Sequence, residues 1–220
     1  MRKTADMTQA RQREQICLLA KSMYDRGLTA GASGNISVRL DDGGLLVTPT
    51  GACFGRLDPA RLSHLSADGR LLSGDAPTKE MPLHAAFYDT RARTGAVVHL
   101  HSSHSVALSM LDGHDPDCFL APLTAYSVMR LGKVTLLPYF RPGDPAMGDA
   151  VRSLAGRRSA VMLANHGPVV AGQELEAAVF AVEELEETAK LSLLLRGLNP
   201  RPLTDLHISD LKDHFEIDWD

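Results

Sequence analysis

Residues 29–48 read Thr-Ala-Gly-Ala-Ser-Gly-Asn-Ile-Ser-Val-Arg-Leu-Asp-Asp-Gly-Gly-Leu-Leu-Val-Thr. A turn of small residues ends at Gly34-Asn35. It leads into a short strand, Ile36 to Leu40, where apolar Ile36, Val38 and Leu40 alternate with polar side chains. Asp41-Asp-Gly-Gly44 is a hairpin turn, built from residues that tolerate positive φ, and Leu45 to Thr48 forms the returning strand. Strands joined by so short a turn must pair antiparallel. Any sheet that contains them is therefore at least partly antiparallel. A further hairpin is predicted around Ala67-Asp-Gly69.

The flanks supply helices. Ile16, Leu19, Ala20 and Met23 share one face of a helix predicted over Gln9 to Arg26, with Gly27 as its C-cap. Downstream, Pro82 to Thr90 reads as a helix, Ala96 to Leu100 as a strand and Ser105 to Leu111 as a helix. A loop follows through Asp112, Gly113, Asp115 and Pro116. Lys133 to Tyr139 is a strand, and Asp144 to Ala155 a helix opened by Asp-Pro. Apolar strands over Ser159 to Ala164 and Pro168 to Ala171 flank Asn165-His166-Gly167, and Leu175 to Leu195 is a long helix. Strands interleaved with helices predict an α/β fold: one three-layer α/β/α domain around a central mixed, largely antiparallel sheet. The domain is expected over 9–198, after a flexible lead at 1–8. A tail at 199–220, proline-rich and then acidic, is expected to be ordered in part or to dock on a neighbour.

The totals exclude several functions. A net charge of −4 does not draw the chain to nucleic acid or to an anionic membrane. The apolar runs fall short of the ~18 residues of a membrane span. Residues 1–8 lack the apolar core of a signal peptide. Cys17, Cys53 and Cys118 are odd in number and have no C-x-x-C spacing, which fits a reducing, cytoplasmic setting.

Chemistry concentrates in Val97-Val-His99-Leu-His101. On a strand, positions i and i+2 point the same way, so two imidazoles can share one metal. Nine histidines in this length give roughly 0.4 H-x-H pairs by chance, so the pair alone does not make a site. His166, in a tight turn after an apolar strand, completes a set of three if the two strands lie side by side. Three neutral nitrogen donors with an open position describe a catalytic zinc site, whereas a structural one is closed by four protein ligands. His104 falls at the start of the next helix. His64, His84, His114, His207 and His214 lack such an arrangement and read as ordinary.

Glu80, before a helix, is a candidate general base, although an acid at a helix start is often only a dipole partner. The turns Gly31-Ala-Ser-Gly34-Asn35 and Thr48-Pro-Thr50-Gly51 offer backbone N–H groups to an anion, the first with the Asn35 side-chain amide as well, and Thr78 and Lys79 could add a hydroxyl and a charge. Neither turn matches a nucleotide motif, so a nucleotide cofactor is not expected.

Taken in order, Ala32-Ser-Gly-Asn-Ile-Ser37, Leu46-Val-Thr-Pro-Thr-Gly51, Pro77-Thr-Lys-Glu80, Val97-Val-His-Leu-His101, Tyr126 six residues before Gly132, and Asn165-His-Gly167 resemble the class II aldolase/adducin family. With the flanking helices the resemblance covers nearly the whole chain. Within the family the chain is most similar to the 3-oxo-tetronate 4-phosphate decarboxylases, through Thr78-Lys-Glu80 and Thr124-Ala-Tyr-Ser127. The resemblance implies one Zn2+ per subunit held by His99, His101 and His166, with Glu80 as ligand in the resting state and as base. It implies Tyr126 as an acid reaching in from the neighbouring subunit of a homotetramer, and Asn35, Thr50, Gly51 and Thr78 as phosphate-binding positions. The substrate implied is a phosphorylated four-carbon sugar acid, decarboxylated to dihydroxyacetone phosphate through an enediolate that the metal stabilises.

Two other readings stay open. The family's aldolases show Ser-Ser where this chain has Thr78-Lys79, and use a tyrosine near the C-terminus. No tyrosine follows Tyr139 here. Both points count against a ketose-phosphate aldolase. Lys79 could serve phosphate or the carboxylate of an acid. A non-catalytic, adducin-like binding protein should lack the metal set, and here His99, His101, His166 and Glu80 are all present.

Overall fold

The computed structural model describes residues 2–217 and 219, with backbone alone for 2–7. Helix α1 spans Arg2–Asp25, earlier than the predicted start at Gln9. The lead expected to be flexible continues the helix from Arg2, because Lys3, Ala5 and Met7 are good helix formers and nothing before Gln9 breaks the turn. Met1 of that lead, and Asp218 and Asp220 of the tail, lie outside the described residues.

The next strands are β1 (Asn35–Arg39), β2 (Leu45–Val47), β3 (Ser63–Leu65) and β4 (Leu71–Ser73). They make the two hairpins read from the turn residues, with Ser37 opposite Val47 and His64 opposite Ser73. Helix α2 (Met81–Thr90), strand β5 (Ala96–His99) and helix α3 (Ser103–Ser109) follow. Then come α4 (Ala125–Leu131), β6 (Thr135–Leu137), α5 (Ala146–Ser153), β7 (Ala160–Leu163), β8 (Gly167–Gly172), α6 (Leu175–Leu194) and α7 (Asp205–His214). Among the described residues the eight strands form one sheet in the order β4-β3-β2-β1-β5-β8-β7-β6. Every neighbouring pair is antiparallel except β6 with β7.

Strand alternation divides the core into two layers. On one face Ile36, Val38, Ala96, Val98, Met162 and Val170 pack against α1, α3, α4 and α6. On the other, Val97, Val161, Leu163, Val169 and Ala171 meet Leu83, Ala86 and Phe87 of α2 and Met147 and Val151 of α5. Each large side chain so buried contributes about 1.5–3 kcal/mol by leaving water. The three-layer α/β/α reading therefore stands.

Two helices were not read from the sequence. In α4, Thr124 Oγ1 accepts from the Ser127 N–H at 3.1 Å and caps a single seven-residue element. In the tail, a capping box of Thr204 and His207 starts α7. The Leu203 N–H donates to the Pro122 carbonyl at 2.8 Å and Ile208 is buried, so the tail docks on its own chain beside α4. Among the described residues no helix is long and apolar enough to cross a membrane.

Candidate metal centre

The centre is built where β5 lies between β1 and β8. Asn35 pairs with His99, and His99 with Val169. Alternation sends Asn35, Ser37 and His99 toward α2. The Leu100 N–H donates to the Pro168 carbonyl at 3.2 Å, which carries the pairing past the strand end and holds His101 near β8. The β7–β8 turn, with Asn165 at φ 57°, delivers His166. Gly167 permits this closeness: a Cβ there would lie 2.0 Å from the Leu100 carbonyl oxygen.

His99, His101 and His166 are thereby brought together, with ring centroids 4.9, 4.9 and 4.7 Å apart. His101 Nε2 is 3.0 Å from His99 Nε2. Glu80 joins them, its Oε2 3.4 Å from His99 Nε2 and its Oε1 3.4 Å from His166 Nε2. Glu80 stands at the N-cap of α2, yet its side chain makes no capping bond and turns to the histidines instead. The dipole-partner reading of this residue therefore does not describe its position.

These donors fit a divalent ion. The His99 Nδ1–H donates to the Pro168 carbonyl at 2.9 Å, which leaves the Nε2 lone pair facing the cluster. Both ring nitrogens of His166 are buried without a hydrogen-bond partner. Donors held tetrahedrally at ~2.0–2.1 Å from one ion would lie about 3.3 Å apart. Here His101 to His99 is 3.0 Å and Glu80 to His99 and to His166 3.4 Å, and the three histidine donors all lie within 4.8 Å of one another. Burial pushes all three imidazoles toward the neutral, metal-binding form. His101 and His166 add to it at His99, and His166 at His101.

The other predicted residues divide into two groups. Asn35 is buried against the cluster, its Nδ2 donating to Glu80 Oε2 at 2.7 Å. Thr78 is buried beside it, and its Oγ1 accepts from the Glu80 N–H at 3.3 Å. Thr50 and Gly51 lie on the neighbouring loop, tied in by Thr50 N–H to the Ala76 carbonyl at 3.0 Å. Thr50, Gly51 and Lys79 face solvent. Tyr126 is not brought to the cluster within the chain. It sits on α4, 59% exposed, with Arg130 over its ring, on the far side of the sheet from α2. His104 pairs with Glu186 at 2.8 Å.

One residue read as ordinary belongs here. His84 is fully buried, with Nε2 bonded to Asn35 Oδ1 and Nδ1 2.7 Å from Ser37 Oγ. Burial, with His99 nearby, pushes its pKa down to about 3. Its signal in the sequence was its position one helical turn after Glu80.

The family described as Class II Aldolase and Adducin N-terminal domain matches residues 14–193, most of the chain. The chain belongs to this family. A 3-oxo-tetronate 4-phosphate decarboxylase of Escherichia coli (strain K12) is 50% identical over 200 residues, covering 91% of this chain and 94% of the relative. The crystal structure of YgbL from Escherichia coli superposes with a TM-score of 0.91 at 47% identity, covering 93% of this chain and 99% of that one. An L-fuculose phosphate aldolase of Methanococcus maripaludis is more distant, 32% identical over 185 residues, 84% of this chain and 96% of the relative. Within this class II aldolase/adducin domain the matched span runs from inside α1 to near the end of α6, so α7 lies beyond it.

Proposed function

We propose that the chain is a zinc-dependent carboxy-lyase that converts a 3-oxo-tetronate 4-phosphate to dihydroxyacetone phosphate and carbon dioxide. The observation that carries this reading is the convergence of His99, His101 and His166 with the Glu80 carboxylate turned into them. The half-identical decarboxylase supplies the substrate class.

In the substrate the carboxylate is two carbons from the ketone. The bond from C1 to C2 breaks, carbon dioxide leaves, and the electron pair at C2 spreads onto the keto oxygen. A divalent ion held by the three histidines supplies Lewis-acid stabilisation of that charge. Glu80, held by Asn35, manages the proton of the C2 hydroxyl. A proton returned to C2 completes the product. Tyr126, exposed on α4, delivers it from a neighbouring copy in a tetramer. Thr50, Gly51 and Thr78 take the phosphate, and Lys79 adds a charge for the phosphate or the carboxylate. The setting is the cytoplasm, in the breakdown of sugar acids.

The test mixes purified, zinc-loaded protein with 3-oxo-tetronate 4-phosphate made in place from a tetronate. Dihydroxyacetone phosphate is followed with a coupled reductase. Rapid, chelator-sensitive formation is expected. No product here, with cleavage of fuculose phosphate instead, would move the chain to the aldolases.

A further inference from the structure

We propose that Tyr88, Ser37, His84 and Asn35 form a directed hydrogen-bond chain that fixes the orientation of the Glu80 carboxylate, which makes His84 a positioning residue of the reaction. The inference rests on the reading of Glu80 and the three histidines as the reactive centre.

The pieces come from two elements. Strand β1 offers Asn35 and Ser37 on one face, two residues apart, and α2 offers His84 and Tyr88 one turn apart, with Glu80 one turn earlier. Glu80 Oε2 is 2.7 Å from Asn35 Nδ2. A carboxylate only accepts, so the amide nitrogen donates. Asn35 Oδ1 is then the atom that faces His84 Nε2, and Nε2 must carry the hydrogen. The neutral ring leaves a lone pair on Nδ1, which accepts from the Ser37 hydroxyl at 2.7 Å. With its proton so used, Ser37 Oγ accepts from the Tyr88 hydroxyl at 2.8 Å.

Every link therefore points the same way, from Tyr88 to Glu80. Such chains polarise in a low-dielectric interior, each bond strengthening the next. The direction fixes the His84 tautomer, the Asn35 amide orientation and which Glu80 oxygen is occupied. Oε2 stays against Asn35 and His99, and Oε1 is left for His166. A cluster that merely filled space would need none of this order.

The test reads zinc affinity of the metal-free protein by competition with a chromophoric chelator, and kcat and KM on the same preparations. His84→Ala should lower kcat by about 10–100-fold and weaken zinc by up to ~10-fold, with KM little changed. His84→Gln can still donate to Asn35 Oδ1 and should recover most of the loss. If His84 acts through Glu80, His84→Ala in a Glu80→Ala background should change zinc affinity by less than ~2-fold. Additive losses, a glutamine no better than alanine, or wild-type values in a folded His84→Ala would each overturn the proposal. Should His84→Ala not fold, Ser37→Ala decides. It takes away the donor to Nδ1 and cuts the Tyr88 hydroxyl out of the chain, so a clear loss of kcat and zinc affinity supports the proposal and wild-type values overturn it. Wild-type protein that binds no zinc would instead overturn the metal-centre reading, and the inference with it.

Discussion

Replacing Gly167 with alanine tests whether the three histidines act as one rigid unit. Gly167 follows His166 and opens β8 against the end of β5. The added Cβ would meet the Leu100 carbonyl oxygen at 2.0 Å and the His101 Cα at 3.3 Å. A tolerable contact needs at least about 3.2 Å, so the start of β8 must retreat by about 1.2 Å. Neither neighbour is a flexible side-chain tip; both belong to the backbone that carries His101. A metal site accepts donor displacements of only ~0.2 Å, and a misplacement of about 1 Å costs on the order of 100-fold in rate. The expected result is a loss of about 100-fold or more in kcat/KM, near 2.7 kcal/mol of transition-state stabilisation. Overpacking should also lower stability by about 1–3 kcal/mol, a few degrees of Tm or more at this chain length. Zinc content after desalting, coupled kinetics and a thermal melt give the three readouts. A folded Gly167→Ala protein with full zinc and wild-type kcat/KM would show that the hairpin relaxes without moving His166. The argument from rigidity would then be wrong.

Glu80→Gln keeps the shape and removes the charge. Zinc should still load on the three histidines, more weakly, while turnover in the decarboxylase assay falls by about 100–10,000-fold. Near wild-type turnover would remove Glu80 from the proton chemistry. The metal-free protein should lose stability as pH falls below 6.5, the ordinary value from which His84 and His99 are displaced downward by burial. Below that pH the unfolded chain binds protons that the folded chain refuses. Each such histidine then costs about 1.4 kcal/mol per pH unit until its folded pKa is reached. Denaturant melts at pH 8, 6 and 5 check this, and equal stability at all three would mean that the buried rings charge freely.

The parts of this molecule legible in the sequence are those governed by local rules. Asp41 to Gly44 set the first hairpin, and its register followed. His99 and His101 were legible as a pair because strand alternation is strict, whereas Glu80 was legible only through the family resemblance of Pro77 to Glu80, since its place before a helix points to a dipole partner. The missed elements were short or polar. Helix α4 has seven residues, too few for a period to show, and α7 buries only Ile208 among its helical residues. His84 was missed for a different reason. Helical spacing shows that it lies one turn from Glu80, but not that both meet Asn35. That contact spans 45 residues to Glu80 and 49 to His84, and follows from the register of β1 on β5.

Asn35 shows how a local reading and the assembled site can differ. In the sequence it closes a turn of small residues, which offers backbone N–H groups and the Asn35 amide to an anion. In the structure its side chain is occupied at both ends, by Glu80 and His84. The same turn explains why. Gly34 has φ +84°, and a Cβ there would lie 2.9 Å from the His99 carbonyl oxygen. Glycine thus lets β1 close on the end of β5, and that closure sets Asn35 directly opposite His99. The amide then reaches Glu80 over the face of the sheet. Gly34 and Asn35 build the centre first, and any contact with phosphate is made from a position that Glu80 and His84 have already fixed.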